Sequence, residues 1–317
     1  MSTWVVPYID QDLSFWEKVV ECFGPHIREV YFPVPGGAFP SGRPPQPEQF
    51  LLDFLHHVPL AKSVLLNPIV LPQAAAQVAP RVIDTLRRLR DDFGVTEATI
   101  TSLDLARLIK QALPDCRLAA STLMGIGHPS QVLLVQDLVD CITPDNRVVR
   151  DIDALKRLRA AFGKELRLIV NEACIPGCPH RTQHFFEMGY SERFPQSLCQ
   201  SMLEERPWLR LTGAWILPRH LRFYEGLYDT LKLAGRVTLR DPQRYLSVLG
   251  AYVSRANILP RDIGGGPASP LNDIDMPDSL FEYVLQCDKE CGRCSVCRNH
   301  METDSSAIHT AVRNASD

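Results

Sequence analysis

The sequence predicts an α/β protein: a TIM-like (β/α)8 barrel with a cysteine-rich insertion after its seventh strand and a small C-terminal cysteine-rich appendage. Three observations predict this fold. Short apolar segments alternate with helical patterns along most of the chain, eight of these segments have the character of strands, and no Gly-rich dinucleotide motif follows the first one. An open, doubly wound parallel sheet is the alternative that the same alternation allows.

The eight strand candidates are short runs of aliphatic and β-branched residues. In chain order they cover 4–9, 29–32, 63–66, 97–101, 117–121, 140–143, 166–171 and 230–234. The helix candidates between them have apolar residues at three- and four-residue intervals, as at Val82, Leu86 and Leu89. In a barrel of this kind the chemistry sits at the carboxyl ends of the strands.

The pattern divides the chain into four parts. We assign 1–258 to the barrel, which an insertion over 172–228 interrupts. The Gly- and Pro-rich segment RDIGGGPASP predicts a linker over 259–276, followed by a cysteine-rich metal-binding segment over 277–300. Residues 301–317 are polar and aperiodic, and we expect them to be disordered.

Composition excludes several classes of protein. Hydrophobic residues make up 45% and charged residues 22%, which is ordinary for a globular chain and excludes a fibrous or largely disordered one. A net charge of -3 gives no sign of a bulk polyanion partner. No signal peptide or membrane span is recognisable, so we expect a cytoplasmic protein. In that reducing compartment, ten cysteines indicate ligands more than disulfides.

Four of the cysteines crowd together near the C-terminus. Cys287, Cys291, Cys294 and Cys297 form a C-x3-C-x2-C-x2-C run within eleven residues. Such spacing on a turn-prone segment predicts a metal site, and both Zn²⁺ and a [4Fe-4S] cluster accept four thiolates. The first three also match the pattern of radical S-adenosylmethionine enzymes, but their place near the chain end and Arg293 before the third cysteine disfavour that assignment.

A second group of cysteines follows the seventh strand directly. Cys174 and Cys178 lie in NEACIPGCPHRTQH, and Cys199 follows further on. Their position predicts a site at the catalytic rim of the barrel. The fourth ligand could be His180, His184, another cysteine, or an open iron position for substrate.

The three remaining cysteines belong to neither group. Cys22, Cys116 and Cys141 lie in or beside apolar segments, and we interpret them as small core residues.

Four stretches resemble the collagenase-like peptidase family U-32. They are IREVYFPVPGGAFPSGR, which contains Arg43; EATITSLDLARLIKQALPDCRLAASTLMGI; LIVNEACIPGCPHR; and YDTLKLAGR, which resembles a signature of that family with Lys232, Gly235 and Arg236 in place. The resemblance extends over about residues 25–256. Two features depart from the family: Ala234 replaces the Glu of the signature, and Cys199 stands alone where a close pair of cysteines is common.

The resemblance implies a barrel that holds an oxygen-sensitive [4Fe-4S] cluster, here through Cys174, Cys178 and Cys199. Several members of the family are oxygen-independent hydroxylases that act on RNA bases or quinone precursors, with prephenate as their proposed oxygen donor. The resemblance therefore implies an iron–sulfur-dependent hydroxylase or other modifying enzyme, whose substrate is an RNA base or a small aromatic metabolite.

An anionic substrate would need cations at the strand ends. Arg43, Lys232 and Arg236 are the candidates, because arginine offers a carboxylate or phosphate two parallel donors. Two further hypotheses stay open: a non-catalytic iron–sulfur or zinc protein that binds a protein partner, and a peptidase. For the peptidase, neither an H-E-x-x-H helix nor a G-x-S-x-G elbow occurs in the sequence.

Overall fold

A computed structural model describes residues 3–42, 47–190, 198–236, 238–258, 260–263 and 276–303, with backbone alone at 198–200 and at 260–261. Its eight strands are parallel to their neighbours and close into a barrel in sequence order. The strands are β1 (Thr3–Pro7), β2 (Ile27–Pro33), β3 (Lys62–Leu66), β4 (Glu97–Ile100), β5 (Arg117–Ala120), β6 (Cys141–Ile142), β7 (Glu165–Ile169) and β8 (Thr230–Lys232). The predicted (β/α)8 class is confirmed.

Helices connect the strands and surround the barrel. The α-helices are α1 (Leu13–Phe23), α2 (Leu51–His57), α3 (Ala75–Phe93), α4 (Leu103–Ala112), α5 (Pro129–Val135), α6 (Asn146–Val149), α7 (Ile152–Ala161), α8 (Arg181–Tyr190), α9 (Leu198–Glu205), α10 (Pro242–Ser254) and α11 (Asp278–Gln286). Short 3-10 turns occupy Gly24–His26, Pro35–Gly37, Thr122–Met124, Pro207–Thr212, Pro218–Tyr224 and Pro260–Ile263. A further helical stretch covers 296–303.

Alternation along each strand separates two environments. In β7, Leu166 and Leu168 face the helices and belong to the main hydrophobic core, whereas Glu165 and Arg167 face the lumen of the barrel. The lumen contains a small apolar cluster of its own, made by Val5, Tyr31 and Leu65. The lumen also holds charged side chains, among them Glu29, Glu97 and Arg167, which sets the barrel apart from one filled by aliphatic side chains.

The insertion and the tail pack against the barrel. Residues 214–216 run beside the chain that leaves β7, where the N–H of Ile216 donates to the Val170 carbonyl at 2.6 Å. Helix α11 buries Phe281 completely, and the Phe281 ring stacks on His220 of the insertion at 3.9 Å between centroids. The tail helix therefore shares the main core of the barrel.

Two of the three cysteines predicted to be core residues are buried or half-buried, and the third is exposed. Cys141 is fully buried and Cys116 is half-buried, as expected of core residues, but Cys22 is exposed, because it lies on the outer face of α1.

Among the described residues, no helix is both long and apolar enough to cross a membrane.

Candidate functional site at the mouth of the barrel

An ion network occupies the lumen beneath the mouth. The Arg167 guanidinium donates to Glu29 at 3.0 Å, to Glu97 at 2.9 Å and to Glu165 at 2.9 Å. Burial raises the pKa of Glu29, and the charge of Arg167 only partly offsets that effect. At Glu165 burial also acts to raise the pKa, but the charge of Arg167 and a hydrogen bond from Thr230 hold it below its usual value. The network forms a charged floor.

Lys232 lies above this floor inside the barrel rather than on the rim. Its ammonium group is 4.1 Å from the centroid of the Tyr31 ring, and the side chain is 8% exposed. Burial lowers the pKa of Lys232 to about 8; the positive charge of Arg167 adds to this effect and Glu29 opposes it. No carboxylate of the described residues forms an ion pair with Lys232.

Polar atoms without partners mark the wall of the lumen. Thr99 is 2% exposed and Asn146 is fully buried, yet the Thr99 hydroxyl and the Asn146 carbonyl oxygen have no hydrogen-bond partner among the described residues. Ala119 of β5 pairs with Thr99 in register. Ile169 has the same inward parity as Arg167 and is partly exposed, so the lumen is accessible from the mouth.

A cavity of about 230 Å³ opens at the rim, between the ends of β1 and β2 and the chain after β8. Tyr8, Asp10, Arg236 and Arg240 line it. Burial and a 2.8 Å hydrogen bond to Asp10 raise the pKa of Tyr8, so its hydroxyl stays protonated. Arg236 is 7% exposed and donates to the carbonyl and hydroxyl oxygens of Ser41 at 3.0 and 3.2 Å.

The Cys174 and Cys178 thiols lie on the turn that follows β7. Both are half-buried. Gly177 adopts the left-handed conformation at φ 67°, and the Cys178 N–H donates to the Ile175 carbonyl at 3.3 Å, which folds the chain back on itself. The turn rests on the insertion, where the Ala214 N–H donates to the Cys174 carbonyl at 3.3 Å.

Helix α8 starts just after this turn and crosses the mouth. At its first residue, Arg181 pairs with Glu172 at 2.6 Å. At its far end, the Tyr190 hydroxyl donates to the Val70 carbonyl in the loop after β3. Burial acts to lower the pKa of Arg181, but the charge of Glu172, with that of Cys174, keeps it raised. Arg181 thus places a permanent positive charge beside the Cys174 thiol.

The structure leaves part of the predicted site undescribed. Arg43 and the side chain of Cys199 lie outside the described residues. Of the other predicted rim residues, Cys174, Cys178 and Arg236 lie at the mouth, and Lys232 lies deeper in the lumen.

The four tail cysteines follow α11 in the chain and lie close together. Cys287 Sγ is 3.5 Å from the Val284 carbonyl, and the Tyr283 hydroxyl is 3.4 Å from Cys294 Sγ. Burial and the other three thiols together raise the pKa of Cys297 to about 11. As they stand, no three His, Cys, Asp or Glu side chains in the described ranges are arranged as a metal site.

Several residues of the mouth were not predicted from the sequence. Glu29, Glu97 and Arg167 are charged residues at alternate positions of strands that are otherwise apolar, and this alternation is a signal of a polar lumen. Arg240 and Asp10 carry no such signal, because loop conformation brings them to the cavity.

Comparisons with known proteins agree with the resemblance to family U-32. No family model matches the chain. An uncharacterized protease of Methanocaldococcus jannaschii, MJ1657, is 28% identical over 181 residues, which cover 52% of this chain and 53% of that protein. The chain therefore spans about half the length of this curated relative.

A solved structure shares the fold. The U32 peptidase Mk0906 superposes with a TM-score of 0.54 at 15% identity, over 74% of this chain and 92% of that one. At this identity the likeness shows the barrel fold, and the name of each relative describes that relative.

Proposed function

We propose that this chain is an enzyme of the U-32 type that holds an iron–sulfur cluster at the mouth of its barrel and modifies an anionic substrate there. The observation that carries the proposal is the Cys174–Cys178 turn: two thiols leave β7 on one tight turn, at the end of the barrel where the cationic cavity opens. Cys199, on α9, is the proposed third ligand.

The donors fit such a cluster in two respects. Both thiols are half-buried, and Arg181 supplies the positive charge that stabilises thiolate ligands beside it. Three protein thiolates leave one iron position open, and a cluster of that kind supplies a Lewis acid for an oxygen-bearing ligand.

The residues of this chain provide the recognition of an anion. Arg236 and Arg240 line the rim cavity, and Lys232 adds a positive charge in the lumen that no described carboxylate pairs with. Tyr8 stays protonated and donates to Asp10, which is held in place by the Phe50 N–H at 2.9 Å. A cavity of about 230 Å³ suits one ring with a carboxylate or phosphate, such as a single base or a small aromatic metabolite.

A modifying reaction is favoured over peptide hydrolysis because the sequence contains neither an H-E-x-x-H helix nor a G-x-S-x-G elbow. Ser121 accepts from Asn67 at 3.4 Å and from the Leu123 N–H at 3.3 Å, so this hydroxyl is engaged in holding a turn. A peptidase is nevertheless the second candidate, because both relatives described above are named protease or peptidase. A non-catalytic metal protein that binds a partner is the third.

Metal analysis of anaerobically purified protein tests the proposal. We expect a brown protein with about four irons per cluster and matching sulfide, and we expect Cys174→Ser and Cys178→Ser to lose the iron, sulfide and absorbance of one cluster relative to wild type. Cys22→Ser is the matched control, because that thiol is exposed on α1, and it should retain the colour.

Two results would contradict the proposal. Folded wild-type protein that contains no iron would exclude the cluster, and peptide turnover by that protein would favour the peptidase. An iron content in both Cys174→Ser and Cys178→Ser that equals that of wild type would show that these two residues hold no cluster.

A further inference from the structure

Arg150 is a buried cation at the place where barrel, insertion and tail meet. It follows α6 directly and is 1% exposed. Its guanidinium donates to the Trp215 carbonyl at 2.7 Å and to the Leu211 carbonyl at 3.3 Å. It also lies 4.8 Å from the centroid of the Trp215 ring and 4.6 Å from that of Phe281. One side chain therefore contacts all three parts of the molecule.

No carboxylate of the residues that the structure describes balances the charge of Arg150. Among the described residues no Asp or Glu pairs with it, and its Nε has no hydrogen-bond acceptor. Arg167 is equally buried and contacts three glutamates. Burying a guanidinium without a counter-ion costs several kcal/mol, so an anion near Arg150 would stabilise the fold.

Three acidic groups act on the Arg150 guanidinium: the Tyr224 phenol and two thiols of the tail. Cys287 and Cys297 are both close enough for their charge to act on the guanidinium. Cys297 itself packs against the main core. A second cation, Arg298, lies over the Trp208 ring of the insertion at 5.3 Å. Arg150 thus places a buried positive charge near two of the four thiols, those of Cys287 and Cys297.

We propose that Cys287, Cys291, Cys294 and Cys297 bind one metal centre as thiolates, and that Arg150 is the buried counter-ion of that centre. Four thiolates around one Zn²⁺, or around one [4Fe-4S] cluster, leave a net charge of about 2−. The metal then belongs to the interface between tail and insertion. This proposal is independent of the function proposed for the mouth.

The interface reaches the mouth through the backbone. Arg150 holds the carbonyl of Trp215, and the adjacent residues 214 and 216 donate their N–H groups to Cys174 and Val170. Metal in the tail therefore steadies the segment on which the Cys174 turn rests.

Metal analysis of cysteine variants tests the site. The double variant C291S/C294S should lose one zinc per chain, or the iron and sulfide of one cluster, and the identity of the lost element distinguishes the two. Cys174→Ser should keep that metal, as should the control Cys22→Ser. If the double variant contains as much metal as wild type, the tail site is refuted, whatever the rim contains.

Variants of Arg150 test the counter-ion. With Zn²⁺ as the probe in competition with a chelator, we expect Arg150→Met to bind at least tenfold more weakly than wild type, which corresponds to about 1.4 kcal/mol. Arg150→Lys keeps the charge and should lie between the two. Equal affinity in wild type and Arg150→Met would overturn the role of Arg150.

A measurement on the wild-type chain covers the case in which a substitution at this buried position unfolds the protein. Zn²⁺ should slow amide hydrogen exchange over 207–217, and a chelator should restore it, while exchange in α3 stays constant. If the rate of amide exchange over 207–217 is the same with and without Zn²⁺, the coupling between tail and insertion is excluded.

Discussion

His220 is a buried histidine that the fold keeps neutral. Its ring stacks on Phe281, and its Nε2 lies 3.3 Å from Nε of Arg219 and 3.4 Å from Oδ1 of Asp278, whose charge opposes the lowering of the His220 pKa. Burial lowers the pKa of His220 to about 3, and the charges of Arg219 and Arg150 add to the effect. The contact between insertion and tail therefore depends on the protonation of one imidazole.

We expect this histidine to make the fold acid-sensitive. Between an unfolded pKa of about 6.5 and the folded value of about 3, the unfolded chain binds a proton that the folded chain excludes, so stability falls as the pH falls through that window. His220→Phe keeps the stacking and removes the titration. Relative to pH 7, the free energy of unfolding at pH 5 should fall by about 2 kcal/mol more in wild type than in the variant.

Denaturant unfolding followed at both pH values measures this difference, with metal-free protein used for both chains. Parallel pH profiles of wild type and His220→Phe would contradict the assignment of a neutral, buried imidazole.

At the scale of elements, the order and nature of the strands follow from the sequence, because each is a short apolar run with a helical pattern behind it. All eight predicted strands are present, although β6 is reduced to Cys141–Ile142 and β8 ends at Lys232. The local sequence pattern does not define where a strand ends, because the length of a strand depends on its hydrogen bonds with the neighbouring strand. For the same reason, the placement of Lys232 inside the lumen could not be predicted without the register.

The candidate site was predictable only in part. The Cys174–Cys178 turn lies directly after a strand, so its position at the mouth follows from the barrel itself. Arg150 gave no sequence signal, since its role depends on Trp215 and Phe281, which are distant in the chain and meet it only in the folded state.

The segment under the Cys174 turn depends on a residue without a side chain. A Cβ on Gly213 would lie 2.9 Å from Cδ1 of the buried Trp215 ring and 3.1 Å from the Ala173 carbonyl oxygen. Gly213→Ala should therefore destabilise the fold by about 1 to 3 kcal/mol and speed hydrogen exchange over 173–178. Gly163→Ala is the control, since nothing lies within 4 Å of its Cβ position.

Denaturant unfolding and exchange mass spectrometry on the two glycine variants provide the comparison. If Gly213→Ala and Gly163→Ala are equally stable and exchange alike over 173–178, the close packing of the insertion beneath the turn is not required.

At the scale of the whole molecule, the tail completes the core of the barrel. Phe281 is fully buried and joins rings from the insertion and the side chain of Arg150. Removing a buried phenylalanine ring costs about 3 to 5 kcal/mol. Phe281→Ala should therefore lower the melting temperature by roughly 6 to 20 °C, at 2 to 4 °C per kcal/mol.

Glu282→Ala is the matched control, because the next residue of α11 is exposed, and its melting temperature should stay close to that of wild type. Calorimetry on the three chains makes the comparison. If Phe281→Ala has the same melting temperature as wild type, the barrel is complete without its tail.

The closure of the barrel between β1 and β8 has a consequence for synthesis in the cell. Val5 pairs with Lys232, so the first strand has no partner on one side until more than two hundred further residues have been made. At translation rates of about 5 to 20 residues per second, that edge stays open for roughly 10 to 45 s. Throughout that interval the nascent chain presents an unpaired backbone that chaperones can bind, and the final strand ends the exposure when it docks.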